Sequence, residues 1–215
     1  MKISIKEGFD LNPNKKVVDA ITKRCNKNDG LCPCTHEEND GDLHCPCESY
    51  RLRDNCICGL YIKKLKYVDT KIVFSEIPDE ITLAISISNC PCKCEGCHSQ
   101  YLWDDIGTIL DNDSLSDLIN KNKGISCVCF MGGDSNPNSI NELGKFVKKQ
   151  FKDLKTAWYS GKKEISNFID ISNFDFIKIG PFIKKRGPLD SPLTNQIFYK
   201  IENNKLFDKT HLFYK

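Results

Sequence analysis

The cysteines between residues 89 and 98 have the type and spacing of a metal-binding loop. Cys90, Cys94 and Cys97 stand at the spacing C-x3-C-x2-C. Three thiolates so close together can hold three irons of a four-iron four-sulfur cube and leave the fourth iron without a protein ligand. A small molecule could bind and react at that iron. A zinc knot and a disulfide loop are the competing interpretations of the spacing alone.

A second group of cysteines lies nearer the start of the chain. It consists of three CxC pairs, separated by ten and then eight residues: Cys32-Pro33-Cys34, Cys45-Pro46-Cys47 and Cys56-Ile57-Cys58. Zinc sites favour CxxC over CxC spacing, so the pattern speaks against a structural zinc domain without removing that alternative. Clustered pairs of this kind indicate metal binding or redox work.

Cysteine content and hydropathy limit the classes of protein to which the chain can belong. The chain has 13 cysteines among 215 residues, far above ordinary usage. Residues 1–10 lack the apolar core of a secretory signal, and no run approaches the roughly 20 apolar residues that a membrane span needs. We therefore expect a cytoplasmic protein with no membrane segment, in which the cysteines bind metal rather than brace the fold.

The charge is unevenly distributed along the chain. The net charge is +2, but residues 141–215 carry an excess of lysine and arginine over acidic residues. This surplus predicts either a solvated lysine-rich face or a surface for an acidic partner. No basic stripe with interleaved aromatic residues is present, so we expect no direct nucleic-acid binding.

Regular elements must position these cysteines. Asn14 is a predicted N-cap, and the apolar residues after it have helical spacing, so the sequence predicts an amphipathic helix that Gly30 ends. Residues 81–88 alternate as a strand should, and this strand ends at the Cys90–Cys97 loop. Cys25 fits neither motif and is predicted to be a free thiol.

The second half of the chain alternates strands and helices. Strands are predicted at residues 125–131, 155–161 and 174–179, and helices at residues 114–119 and 139–151. This alternation predicts an α/β domain with a mostly parallel sheet. Gly132, Gly133 and Asp134 directly follow the first of these strands, where glycines let a ligand approach the backbone closely. Cys127 and Cys129 within that strand are predicted to be small buried hydrophobes, and Cys92 to be a bystander in the cysteine loop.

The cysteine triplet, together with this Gly-Gly-Asp element, closely resembles the radical S-adenosylmethionine enzymes. The resemblance implies that Cys90, Cys94 and Cys97 bind a four-iron cluster whose open iron chelates S-adenosylmethionine. It also implies that Gly132, Gly133 and Asp134 bind the amino group of that cofactor. One electron from the cluster would then generate a 5'-deoxyadenosyl radical.

Further motifs indicate a resemblance to one family among these enzymes. They are the segments Ile77-Pro78-Asp79-Glu80-Ile81, Cys94-Glu95-Gly96-Cys97-His98-Ser99, Thr156-Ala157-Trp158-Tyr159-Ser160-Gly161, Gly187-Pro188-Leu189-Asp190 and Thr194-Asn195-Gln196. Together they resemble the anaerobic ribonucleoside-triphosphate reductase activating proteins over residues 72–201. That family implies a minimal radical domain with an incomplete barrel, and a glycyl radical installed on the large reductase subunit.

The three CxC pairs, with the helix before them and Gly59-Leu60-Tyr61 after them, resemble the catalytic subunit of ferredoxin:thioredoxin reductase. The resemblance implies a second four-iron cluster on Cys32, Cys45, Cys47 and Cys56, and a redox-active disulfide between Cys34 and Cys58. A ferredoxin- or flavodoxin-like donor and a thioredoxin-like carrier are the implied partners. Ile57 stands where that family has a histidine, and the segment after the first pair is shorter; His36 or His44 could replace the missing imidazole.

The sequence thus predicts a small α-helical iron–sulfur domain at residues 1–64, a connector at 65–71 and a radical domain at 72–215. The expected function is activation of an anaerobic ribonucleotide reductase, with a fused disulfide-reductase-like domain and two four-iron clusters. One alternative is a ferredoxin-dependent disulfide reductase whose radical domain serves docking. The other is an activating enzyme of a different glycyl radical enzyme.

Overall fold

The computed structural model describes residues 2–34 and 42–214. The chain divides into two compact units, Met1–Lys64 and Leu65–Lys215, which we call unit 1 and unit 2. Among the described residues, no helix is both long enough and apolar enough to span a membrane.

Unit 1 contains two helices and a two-stranded sheet. Its elements are β1 (Phe9–Leu11), α1 (Lys15–Lys27), α2 (Glu48–Arg53) and β2 (Tyr61–Lys63), and β1 pairs with β2 antiparallel. The prediction of an α-helical domain therefore omitted this small sheet. The predicted first helix is confirmed: the Asn14 side chain accepts a hydrogen bond from the Lys16 N–H at 3.1 Å and caps α1.

The core of unit 1 is built largely from cysteines and aromatic rings. Cys25 on α1 is fully buried, and Cys32, Cys34 and Cys47 are at most 4 % exposed. The Tyr50 ring stacks on Tyr61 with a centroid distance of 4.2 Å. So small a unit has little aliphatic core, and its thiols occupy the interior that aliphatic side chains would otherwise fill.

Unit 2 is a mixed α/β unit around one large sheet. Its strands are β3 (Lys66–Val73), β4 (Thr82–Ile87), β5 (Thr108–Ile109), β6 (Cys127–Met131), β7 (Lys155–Tyr159), β8 (Phe176–Ile179), β9 (Ile197–Glu202) and β10 (Lys205–Asp208), and its helices are α3 (Asn112–Lys121) and α4 (Pro137–Gln150). The strand order is β10-β9-β8-β7-β6-β4-β3-β5. Within the described part of unit 2 this sheet is open, so it forms no closed barrel.

The prediction of a mostly parallel sheet holds only for the centre. The pairs β4–β6, β6–β7 and β7–β8 are parallel, whereas β9, β10, β3 and β5 add four antiparallel pairings at the two sides. Antiparallel strands are joined by short turns, so they add width to the sheet without crossover helices. The predicted connector is corrected as well, because Lys66–Val73 forms β3 and pairs with β4.

The two faces of this sheet carry separate cores. On one face α3 and α4 pack on the sheet, and Leu83, Ile85, Val128, Phe130 and Trp158 are at most 1 % exposed. The other face holds the predicted buried cysteines of β6, both fully buried, in a cluster that consists of Ile77, Cys127, Cys129, Ala157, Tyr159, Phe176 and Phe198. Burial on both faces explains why the central strands are apolar along most of their length.

Candidate metal centres

The cysteine loop of unit 2 lies between the end of β4 and a short 3-10 helix, Gln100–Trp103. Backbone hydrogen bonds anchor it: the Cys90 N–H donates to the Leu102 carbonyl at 2.8 Å, and the Cys97 N–H donates to the Cys94 carbonyl at 3.1 Å. Lys93 and Gly96 both have left-handed backbone conformations, with φ of +42° and +74°. These two residues turn the chain tightly enough to keep its cysteines on one short loop.

The three predicted cluster ligands of this loop are all half-buried thiols. Hydrogen bonding with Cys92 lowers the pKa of Cys90 to about 6, which favours the thiolate form that binds iron. The Cys97 sulfur accepts a hydrogen bond from the Ser99 N–H at 3.4 Å. In a cube each thiolate binds a different iron, so the ligands need not converge on a single point. The assignment of Cys90, Cys94 and Cys97 stays a prediction with which the loop is compatible.

Cys92 has more contacts than a bystander would. Its thiol donates to Asp134 Oδ2 at 3.7 Å, and hydrogen bonding with Cys90 raises its pKa. A methyl group added at Gly161 would come within 2.7 Å of the Cys92 sulfur, so the two residues are closely packed. Cys92 therefore connects the cysteine loop to residues after β6 and β7, a contact that its sequence position does not reveal.

The Gly-Gly-Asp segment directly follows β6, beside β4 in the sheet. Gly132 and Gly133 have φ of +103° and +85°. A Cβ at Gly133 would lie 2.4 Å from the Ile140 side chain, and one at Gly132 would lie 3.1 Å from the Ile87 carbonyl oxygen. The structure thus gives these glycines a packing reason in addition to the predicted ligand role, because helix α4 and strand β4 leave no room for side chains there.

Asp134 is buried, with 8 % of its surface exposed, and both of its carboxylate oxygens are hydrogen-bonded. Ser160 Oγ donates to Oδ1 at 2.5 Å, and the Gly161 N–H donates to Oδ2 at 2.9 Å. We call these three residues the Asp134 clasp. It ties the carboxyl ends of β6 and β7 together at the edge of the sheet where the cysteine loop also lies.

A cavity of about 300 Å³ opens beside the clasp. Its lining comes from the carboxyl ends of β6 and β7 and from the segment after β7, and consists of Asp134, Pro137, Trp158, Lys162, Glu164, Ile165, Ser166 and Asn167. Ligands of open α/β sheets bind outside the carboxyl ends of the strands. A small polar molecule could therefore occupy this cavity.

Lys178 is a polar residue of this region that the sequence reasoning missed. It lies on β8 on the same face as Phe176, and its Nζ is 5.4 Å from the centroid of the Tyr159 ring. Burial lowers the pKa of Lys178, opposed by the negative charges of Asp134 and Cys94. A lysine at an inward-facing position of an otherwise buried strand is the signal that could have identified it.

In unit 1, the thiols of the first and third CxC pairs lie close together. Cys32 Sγ is 3.2 Å from Cys34 Sγ and 3.8 Å from Cys58 Sγ, and Cys56 Sγ is 3.6 Å from Cys58 Sγ. Among the described residues, Cys32, Cys34 and Cys58 are the group of three whose metal-binding atoms all lie within 4.8 Å. The predicted redox pair, Cys34 and Cys58, is therefore close in space, and neither residue forms a disulfide bond in the structure.

These thiols fall into two classes, one with lowered and one with raised pKa values. Interaction with Cys58 lowers the pKa of Cys32 to about 5 and that of Cys56 to about 6, whereas hydrogen bonding to those two raises the pKa of Cys58. Burial raises the pKa values of Cys34 and Cys45 to about 12. A protein interior that favours two thiolates among neighbouring thiols is suited to binding a metal cation.

The remaining predicted residues of unit 1 are placed as follows. Cys47, a predicted cluster ligand, is buried, and Cys25 is fully buried. Burial raises the pKa of Cys25, opposed in part by its interaction with Cys45, so Cys25 belongs to the same thiol group. His44 is exposed and lies 2.9 Å from Asp42 Oδ1, whereas His36 lies outside the described residues. His44 therefore lies on the surface.

Comparison with known proteins supports an iron–sulfur protein. Residues 81–186 match a family model described as a 4Fe-4S single cluster domain. No curated protein and no solved structure gives a significant match to the chain. The matched segment contains the cysteine loop and the central strands, so a four-iron cluster is supported, and its presence is compatible with redox activity.

Proposed function

We propose that this chain is a radical S-adenosylmethionine activating enzyme that installs a glycyl radical on an anaerobic ribonucleotide reductase. The observation that supports it best is the position of two segments at one edge of the sheet. The Cys90–Cys97 loop follows β4, the Gly-Gly-Asp segment follows β6, and these strands are parallel neighbours with Ser86 opposite Met131. Their carboxyl ends therefore meet at the same level.

The side chains at this edge fit such a cofactor. Cys90, Cys94 and Cys97 would hold three irons and leave one open, and the buried carboxylate of Asp134 lies within reach of the Cys92 thiol on the same loop. The cavity beside Asp134 would take the organic part of the cofactor. When bound, S-adenosylmethionine supplies a 5'-deoxyadenosyl radical that takes a hydrogen atom from a backbone glycine.

The protein residues contribute positioning and exclusion of water. The Asp134 clasp fixes the backbone of Gly161 beside the cavity, and Gly132 and Gly133, which pack closely against Ile87 and Ile140, hold the backbone before Asp134 in place. Trp158 is 1 % exposed and donates its indole N–H to the Gly132 carbonyl at 2.8 Å, which holds that backbone rigidly. A rigid, largely dry wall protects a reactive radical from side reactions.

For unit 1 we propose a disulfide-reductase-like role. Cys32, Cys45, Cys47 and Cys56 would hold a second four-iron cluster, and Cys34 and Cys58 would exchange a disulfide with a partner. The closeness of the Cys34 and Cys58 sulfurs supports this pairing. Reduction of a disulfide to two thiols takes two electrons, which a ferredoxin- or flavodoxin-like donor would deliver in two single-electron steps, and two protons, which would come from solvent. The disulfide would belong to the reductase or to a thioredoxin-like carrier.

Iron and acid-labile sulfide content tests the cluster assignment. After anaerobic reconstitution we expect about eight irons and eight sulfides per chain, because each cube holds four of each. Cys94→Ala should lose half of the iron together with the spectral response to S-adenosylmethionine, whereas Cys92→Ala, in the same loop, should keep both. A protein that binds only zinc, or only four irons, would contradict the assignment of two clusters.

Activity assays test which protein receives the glycyl radical. With a reductant, the protein should cleave S-adenosylmethionine to 5'-deoxyadenosine and methionine, and EPR should show a glycyl radical on the reductase only when both proteins are present. Cleavage without a radical on the reductase, but with one on another glycyl radical enzyme, would favour the alternative target. Absence of cleavage by a fully loaded protein would favour a docking role for unit 2.

A further inference from the structure

Six exposed basic side chains lie in or beside the cysteine loop of unit 2. One belongs to the loop itself, two follow the end of β7 and three lie in the turn after β8: Lys93, Lys162, Lys163, Lys184, Lys185 and Arg186. We call these six residues the basic collar. They come from segments up to 93 residues apart in the sequence, and the contacts of Lys184 and Lys162 show that the fold brings these segments to the loop and to the neighbouring clasp.

The turn after β8 lies directly against the cysteine loop. A Cβ at Gly96 would be 3.6 Å from a Phe182 ring atom and 3.7 Å from Lys184 Cδ, and the rings of His98 and Phe182 are 5.8 Å apart. Two hydrogen bonds to the Ile183 carbonyl, from the N–H groups of Arg186 and Gly187, close the turn. Its charges are therefore held beside the loop by a defined backbone.

The segment after β7 is anchored in a similar way. The Lys162 carbonyl accepts a hydrogen bond from the Gly180 N–H at 2.7 Å, and the Lys162 N–H donates to Ser160 Oγ at 3.0 Å. Lys162 also lines the cavity beside Asp134. Lys184 thus lies next to Gly96 of the cysteine loop. Lys162 lies next to the Asp134 clasp, which Cys92 of the same loop contacts.

The basic collar carries an excess of positive charge. Within residues 2–34 and 42–214, none of its six members lies within 4.0 Å of a carboxylate oxygen, although Lys66, Lys148 and Lys155 of the same unit each pair with an acidic residue. Glu95, Glu164 and Asp190 are the acidic residues in the same segments, and Asp134 lines the same cavity as Lys162, so positive charge remains in excess. A solvated surface usually mixes both signs, so an unpaired excess beside a redox site indicates a function in recognition.

We infer that the basic collar docks an acidic one-electron carrier protein, which reduces the cluster held by the cysteine loop. This inference rests on the proposed function. In the step, one electron leaves the reduced group of the carrier and enters the cluster, so the carrier is oxidised and the cluster reduced by one electron each. Electron transfer needs close approach but only a brief encounter, and opposite charges steer such encounters without a large interface.

Charge reversal tests this inference. The variant Lys184→Glu, Lys185→Glu, Arg186→Glu is compared with Lys145→Glu, Lys149→Glu, Lys152→Glu, which makes the same change of charge on and just after α4. The oxidised, cluster-loaded proteins are mixed anaerobically with a reduced acidic flavodoxin, and cluster reduction is followed by absorbance. We expect the collar variant to be reduced at least about tenfold more slowly at low ionic strength, and the α4 variant to resemble wild type.

Two further measurements separate docking from damage to the site. Photoreduction with a small deazaflavin should reduce both variants equally, because a small molecule does not need the collar. The wild-type rate with flavodoxin should fall when salt rises from roughly 50 to 500 mM, and Lys184→Gln alone should weaken that dependence.

Equal flavodoxin rates for all three proteins, or a wild-type rate that does not respond to salt, would overturn the inference. Loss of reductase binding with an unchanged flavodoxin rate would overturn it too, because the collar would then serve the reductase. A wild-type protein that holds no cluster reducible by deazaflavin would contradict the proposed function instead, so the two failures are distinguishable.

Discussion

The Asp134 carboxylate makes hydrogen bonds within the protein and also lines a cavity. Its carboxylate holds Ser160 Oγ and the Gly161 N–H, and it also receives the Cys92 thiol. Any contact that it makes with a cofactor therefore adds to an existing network. Replacing it removes an ionised acceptor from a buried site, where each such hydrogen bond contributes about 1.5–3 kcal/mol.

Asp134→Ala should lower the affinity for S-adenosylmethionine about ten- to a hundredfold while the iron content holds. The physical reason is loss of the carboxylate and loosening of Gly161 beside the cavity. The measurement is titration of the reduced protein with the cofactor, followed by EPR. Ser160→Ala, which keeps the carboxylate, should have a smaller effect. An unchanged affinity in Asp134→Ala would show that the segment does not bind the cofactor.

Gly133→Ala should destabilise unit 2 by about 1–3 kcal/mol more than Gly124→Ala does. Both glycines have positive φ, +85° and +88°, so the backbone strain is similar. Only Gly133 has a neighbour where its Cβ would be, since Ile140 Cδ1 lies 2.4 Å away while nothing lies within 4 Å at Gly124. Chemical denaturation of the two apo-proteins measures the difference. If Ile140→Val in the Gly133→Ala background restores no stability, the steric explanation is wrong.

Near the amino ends of β4, β6 and β7, the Glu80 side chain joins the three strands. Glu80, 7 % exposed and just before β4, accepts hydrogen bonds from Ser126 Oγ before β6 and from Lys155 Nζ on β7. The Ser126 hydroxyl in turn accepts the Ile81 N–H at 2.9 Å. This network aligns the central parallel strands at one end, and the Asp134 clasp ties two of them at the other.

The Glu80 network should make stability depend on alkaline pH. Hydrogen bonding to Glu80 raises the pKa of Lys155 above its usual 10.5, so the folded state holds that proton more tightly than the unfolded state. The stabilisation is present below pH 10.5 and is lost as pH rises through the raised pKa. Thermal melting of wild type and Glu80→Gln should show a difference at neutral pH that shrinks in alkali; a constant difference would exclude this ion pair as its source.

Strands and helices with strong periodicity could be predicted from the sequence. Predicted strand 81–88 corresponds to Thr82–Ile87, and predicted helix 139–151 corresponds to Pro137–Gln150. Both are well defined because Leu83 and Ile85 alternate toward one core, while Ile140, Leu143 and Val147 repeat along one face of α4. Local patterns of this kind are sufficient to locate the cysteine loop and the Gly-Gly-Asp segment at the ends of neighbouring strands.

The antiparallel sides of the sheet could not be predicted in the same way. β3 has no buried face, since Lys66–Val73 is half-buried or exposed throughout, and hydrogen bonding to β4 holds it rather than an apolar pattern. The β9–β10 hairpin has one local signal, Asn203-Asn204, whose φ values of +50° and +58° suit a tight turn. The contacts of Cys92 and Lys178 depend on tertiary packing, so sequence spacing does not indicate them.

Under the proposed function, the chain joins two redox units, which would suit a reductase that must be re-reduced after each turnover. A tethered partner has an effective concentration that can approach the millimolar range. Under the proposed function, unit 1 would regenerate a dithiol on the reductase or on its carrier, while unit 2 would install the radical. Relay of electrons from unit 1 to the radical cluster is the alternative, and it would need the cluster ligands but not the thiol pair.

Cys34→Ser and Cys58→Ser distinguish these two roles. If unit 1 reduces a disulfide, glycyl radical formation should persist in both variants, while nucleotide reduction without added dithiol should stall after about one cycle. EPR and product quantification measure the two outcomes, and Cys25→Ser serves as a control in the same thiol group. Loss of the radical, or full turnover without added dithiol, would show that this account of unit 1 is wrong.

The tryptophans give the protein an optical property that follows from their position. The chain has only two, Trp103 and Trp158, and both belong to unit 2. Trp103 lies in the 3-10 helix after the cysteine loop, with its indole nitrogen buried and without a hydrogen-bond partner in the described residues, and Trp158 is bonded to Gly132. Iron–sulfur clusters absorb broadly across the near ultraviolet and visible, so they quench nearby indole emission. Tryptophan fluorescence of this protein therefore originates in unit 2 alone. If the Cys90–Cys97 loop holds a cluster as proposed, the loss of this fluorescence during anaerobic addition of iron and sulfide would follow the filling of that site in real time.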